Sequence, residues 1–131
     1  MPANTNPIFT LVPVVSSCVI ATANTHLDGT GTLGTVITGA SNGTRVQKIT
    51  IKSLGTTTAG MVRLFLFDGT NTRLWQEVPV TAITASATVA SFSAVILLGG
   101  ETALTLPNGY SLQAATEKAE GFAVIAEGGN Y

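Results

Sequence analysis

Apolar and polar residues alternate most regularly between positions 45 and 80, in RVQKITIKSLGTTTAGMVRLFLFDGTNTRLWQEVPV. Three runs rich in β-branched, aliphatic and aromatic residues (46–51, 61–67 and 74–80) are separated by two stretches of turn residues. In the first run Gln47, Ile49 and Ile51 fall on one face, with Lys48, Thr50 and Lys52 on the other. In the second, Val62, Leu64 and Leu66 oppose Met61, Arg63, Phe65 and Phe67; in the third, Leu74, Gln76 and Val78 oppose Trp75 and Glu77. A period of two is what a pleated strand imposes on its side chains. Asp68-Gly69-Thr70-Asn71 supplies residues that tolerate the positive φ of a tight hairpin turn. The region therefore predicts a three-stranded antiparallel meander at the centre of the core.

The flanking segments extend the same pattern. Residues 1–13 read as an extended N-terminal arm, and 14–131 as a β-sandwich domain. The apolar run 8–15 contains Pro13, which confines it to a sheet edge or to another surface because proline donates no ladder hydrogen bond. Further strands are predicted at 17–23, 33–38, 89–98, 102–106, 110–115 and 122–126, with Gly-, Asn- and Pro-rich turns between them. The neutral run 81–88 carries no hairpin signal and reads as a crossover to a second sheet. Only 114–120 could pass for a helix, and one or two turns are marginal alone. Eight to ten short strands at this spacing predict an all-β, single-domain antiparallel sandwich, jelly-roll or Greek-key in kind.

Composition sharpens that picture. Charged residues make up 10% of the 131-residue chain, against about 25% in an ordinary domain. The formal net charge of −1 leaves no electrostatic footprint for nucleic acid. Weak charge also leaves little repulsion between copies, which suits a protein that works assembled. The single cysteine, Cys18, excludes an internal disulfide. It sits in an apolar run without a basic neighbour, so a small buried hydrophobe is the plainer reading than a reactive thiol. The first residues lack a basic segment followed by an apolar one, and no run approaches the ~20 apolar residues of a membrane-spanning helix. The expectation is synthesis and folding in a cytoplasm and no membrane partner.

Candidate chemistry is sparse. Thr56–58 and Gly29-Thr30-Gly31 lack the lysine and helix of a phosphate loop. His26, the sole histidine, has Asp28 nearby but no second imidazole, so it predicts no metal centre. No nucleophile elbow or Cys–His pairing is present. The carboxylates (Asp28, Asp68, Glu77, Glu101, Glu117, Glu120 and Glu127) mostly flank turns, where they remain solvated. Asp28, Asp68 and Asn71 could bind calcium, but such residues usually cap their own turns. Trp75, Tyr110, Tyr131, Phe65, Phe67 and Phe92 could make a sugar-stacking platform, although aromatics on strands are more often core. The expectations are no catalytic residue, no metal and no cofactor.

Residues 39–92 resemble a family of small virion structural proteins of tailed bacteriophages. The resemblance rests on Asn-Gly-Thr-Arg at 42–45, Gly-Thr-Thr-Thr-Ala-Gly-Met at 55–61 and Arg-Leu-Phe at 63–65. It continues with Asp-Gly-Thr-Asn at 68–71 and Glu-Val-Pro-Val-Thr at 77–81. Leu-Pro-Asn-Gly-Tyr-Ser-Leu at 106–112 and the terminal 126–131 are similar in kind, and the whole covers about two-thirds of the chain. These motifs are turns and core, and they identify a family rather than an activity. The resemblance implies a non-enzymatic capsid decoration (cement) protein on the outer capsid surface of the virion. It would bind the major capsid protein as a homo-oligomer, a trimer being favoured. The arm would supply the partner contacts through Pro2, Asn4, Asn6, Ile8, Phe9, Leu11 and Pro13. The alternatives are a tail, fibre or adhesin module that binds host glycan, and a free carbohydrate-binding or hydrolytic jelly roll.

Overall fold

A computed structural model describes residues 9–98 and 104–131. Nine strands are present among them: β1 (Val12–Ile20), β2 (Gly34–Thr38), β3 (Thr44–Ser53), β4 (Gly60–Phe67), β5 (Thr72–Val80), β6 (Ser93–Leu97), β7 (Leu104–Leu106), β8 (Ser111–Thr116) and β9 (Phe122–Asn130). The first sheet has the order β1-β9-β3-β6, with β7 also paired to β3; the second has the order β2-β8-β4-β5. Every strand pairing is antiparallel. The chain passes repeatedly from one sheet to the other, and the protein is an all-β sandwich. The inward side chains of both sheets, among them Val36, Val46, Ile49, Ile51, Val62, Leu64, Leu112 and Val124, form one buried cluster. Phe92 meets Phe122 edge to face within it, with ring centroids 6.3 Å apart.

The central meander is not formed. The β4–β5 hairpin exists as expected, closed by Asp68, whose backbone N–H donates to Asn71 O. β3, however, belongs to the other sheet, with β9 on one side and β6 and β7 on the other. Its connection to β4 contains no two-residue turn. Ser53 Oγ donates to Gly55 O, and Thr57 pairs with Ile83 across the loops. The 81–92 crossover does carry the chain between sheets, because β5 and β6 lie in different ones.

Three register shifts break the strict alternation, one of them between Thr35 and Ile37 on the β2–β8 ladder. On β3 the register with β9 shifts between Val46 and Lys48, so Gln47 is exposed and Val46 joins Ile49 and Ile51 in the core. Only glycine fits opposite this bulge: Gly128 lies so close to the Arg45 carbonyl that a Cβ there would stand 1.8 Å from its oxygen. On the β4–β5 ladder the register shifts between Leu64 and Phe65, and Trp75 packs against the core while Leu74 is exposed. The predicted strands at 8–15 and 17–23 are one strand, β1, at a sheet edge that accommodates Pro13 opposite Gly129. The 89–98 segment forms a strand only over Ser93–Leu97, since Ser86 and Val89 exchange turn hydrogen bonds. Residues 114–116 end β8, and 117–120 form the turn to β9.

Candidate interaction surface

The outer faces of the two sheets differ. On the β2-β8-β4-β5 sheet, loop 21–33 folds over the strands. Its Asn24 N–H donates to Thr116 O, while Gly29 abuts Thr72 beyond the far end of β4. Phe65 and Ala115 point outward between these points, yet both are buried and neither belongs to the core cluster. Asn24 holds the loop closed: Nδ2 donates to Thr30 O and Thr32 O at 3.0 Å, and Oδ1 accepts from the His26 N–H at 2.9 Å. The loop's two anchor points, at Thr116 and Thr72, lie toward opposite ends of the strands on either side of the buried Phe65, which is the arrangement of a roof.

The outer face of the β1-β9-β3-β6 sheet has no such roof among the described residues. Strand pairing sets Val15, Glu127, Lys48 and Leu97 in one row across the four strands. The next row is Ser17, Ile125, Thr50 and Val95, and then Val19, Ala123, Lys52 and Ser93. Val15 is 70% exposed and Leu97 72%, with Val19 and Val95 also exposed. Lys48 and Glu127 form an ion pair at 3.4 Å in the middle, which contributes at most ~1 kcal/mol at such exposure. Exposed aliphatics thus line both edge strands of this face, flanking a centre of Glu127, Lys48, Thr50 and Lys52, and exposed apolar side chains of this kind mark contact sites.

At the corner of this face the chain enters β1. Thr10 packs on Gly129, and the Leu11 N–H donates to Asn130 O at 2.7 Å. A hollow of about 420 Å³ is lined by Phe9, Thr10, Arg45, Gln47 and Tyr131. Arg45 Nε is buried there with no hydrogen-bond partner among the described residues. Of the residues expected to touch a partner, Phe9 (76% exposed) and Leu11 (80%) are presented at this corner. Pro13 is inside β1, in ladder with Gly129. Pro2, Asn4, Asn6 and Ile8 lie outside the described residues. The sheet face itself escaped sequence reading. Val15 and Val19 were visible as apolar positions, but which strands would lie beside them was not.

The chemically suggestive residues are placed separately. Cys18 packs against the core beside Gly34, and burial pushes its thiol pKa up. Asp28 accepts from the hydroxyl and N–H of Thr30, and Asp68 from the N–H groups of Asn71 and Thr70. These bonds hold both carboxyls below the usual carboxylate range. Glu77 pairs with Arg63 at 2.9 Å, and Glu120 accepts from Thr58. Among the described residues no three of His, Cys, Asp and Glu converge as a metal site would require. Phe65 and Phe92, two of the possible stacking aromatics, are buried. Among the described residues no helix is long and apolar enough to cross a membrane.

No protein-family model matches the chain, and no curated protein does. A pentameric capsid protein isolated from metagenomic phage sequences is similar in structure, at 16% identity and a TM-score of 0.38. The match covers 83% of this chain and 60% of that one, so this chain spans less than two-thirds of that protein's length.

Proposed function

We propose that the protein is a non-catalytic structural component of a tailed-phage particle, and that it decorates the head by binding the capsid lattice as an oligomer. The observation that carries this reading is the outer face of the β1-β9-β3-β6 sheet, which no loop covers among the described residues and whose edge strands expose Val15, Val19, Val95 and Leu97, continued by Phe9 and Leu11 at its corner. A rigid sandwich presenting such a face is suited to touching other proteins. The phage-type motifs between residues 39 and 92 supply the setting. Contact per copy can be modest, because an oligomer engaging several lattice positions gains avidity. A ligand that spans neighbouring capsid subunits binds only the closed lattice and so stabilises it by mass action. Residues 2–13 contribute contacts to the capsid or to a neighbouring copy.

Quantitative mass spectrometry of purified particles, separated into heads and tails, tests this. The proposal requires the protein on heads in copy numbers on the scale of the capsid lattice. A few copies on tails would favour the host-binding alternative, and absence from particles would end the virion reading.

A further inference from the structure

The uncovered face is also charged unevenly. It carries Arg45, Lys48 and Lys52 along β3 and one acid, Glu127, which leaves three basic and six acidic residues for the rest of the chain. Two identical copies placed face to face would bring these cationic columns together, which opposes that arrangement. A different part of the molecule offers the complement. Loop 26–30, the 68–71 turn and the 107–110 turn meet at one end of the sandwich, where Gly29 touches Thr72 and Gly69 approaches Gly109 O. This tip bears Asp28 and Asp68 against one arginine, Arg73, and exposes Leu27, Leu74 and Tyr110. Cations flanked by aliphatics on the face thus match anions flanked by apolar side chains on the tip.

We propose that copies of this chain associate head to tail, the tip around Asp28 and Asp68 of one copy docking on the outer β1-β9-β3-β6 face of the next. A contact between two different surfaces of one chain closes into a ring when its rotation permits. The contact needs only the chain itself. Protein missing from particles would sink the virion reading and leave this contact intact, whereas a monomer in solution would do the reverse.

Sedimentation velocity on purified full-length protein tests it. A face variant carries K48E with Leu97→Asp, and V15D on the opposite edge strand guards against a folding defect of the first. A tip variant carries D28N and D68N, which keep the turn acceptors, with Leu27→Lys. Wild type is expected to form a closed oligomer and each variant to be monomeric. An equimolar mixture of face and tip variants is expected to stop at a heterodimer, since only one good surface pair remains. A monomeric wild type overturns the proposal. So does a tip variant, or a pair of face variants, that assembles as wild type does.

Discussion

Gly128→Ala is the single methyl addition the fold is least able to absorb. A Cβ at Gly128 would stand 1.8 Å from Arg45 O, 2.9 Å from its carbonyl carbon and 3.1 Å from Val46 Cα. Even a close carbon–oxygen contact needs ~3.3 Å, so the two backbones must part by about 1.5 Å. No rotamer relieves this, because all three of these neighbouring atoms are main chain. The movement falls at the bulge that puts Val46 in the core and Gln47 outside. Losing one or two ladder hydrogen bonds costs about 0.5–1.5 kcal/mol each, and the misfit adds ~1–3 kcal/mol. The reduced entropy of the unfolded chain returns only ~0.4–1 kcal/mol. The net loss is about 3 kcal/mol, or roughly 10–15 °C in Tm for a domain of this size.

Thermal unfolding followed by circular dichroism reads this directly, with two internal controls. Gly55 has no atom within 4 Å of a built Cβ and no positive φ, so Gly55→Ala should leave Tm unchanged or slightly raised. Gly109 is equally open but has φ 88°, so Gly109→Ala should cost ~1–2 kcal/mol through left-handed strain alone. A Gly128→Ala protein that melts with Gly55→Ala would refute the bulge as the origin of the β3–β9 register.

Other perturbations reach different parts of the account. Phe65→Ala should cost about 3–5 kcal/mol as a buried aromatic truncation and, in hydrogen exchange, should release loop 21–33 before the rest of the molecule; uniform loss of protection would contradict the roof. Thr44→Val removes the hydroxyl that donates to Asn130 Oδ1 and accepts the Ala40 N–H, leaving buried groups unpaired at ~1–3 kcal/mol in urea titration. The lowered pKa of Asp68 contributes stability that is present above its unfolded value, ~3.9, and lost as pH falls through the folded one. The Tm gap between wild type and Asp68→Asn should therefore close as pH drops through that window, and a gap independent of pH would rule the charge out. Cys18, with its thiol pushed up by burial, should alkylate slowly in native buffer and quickly in guanidinium; equal rates would show it is accessible.

Much of the sandwich was legible in the chain because turns and alternation are local. The Asp68–Asn71 hairpin, the edge position that Pro13 allows and the crossover read at 81–88 all follow from residues a few places apart. Sheet membership is a non-local property. β3 looked like the first strand of a meander because its sequence neighbour is β4, yet its partners β9 and β6 lie far along the chain. The bulge at Gln47 brings the chain against Gly128, about eighty positions away, and nothing near Gln47 announces it. The contact face was hidden for the same reason. Val15, Val95 and Leu97 are ordinary strand residues until pairing sets β1 and β6 on either side of β9 and β3.

Oxidative footprinting of the monomer, kept in solution below the concentration at which copies associate, and of the protein on purified particles is the most direct test of the claim that it works through this outer face. The account predicts that Phe9, Leu11, Val15, Val95 and Leu97 lose hydroxyl-radical modification on the particle. Val15 and Leu97 oxidised as readily on the particle as in solution would contradict it.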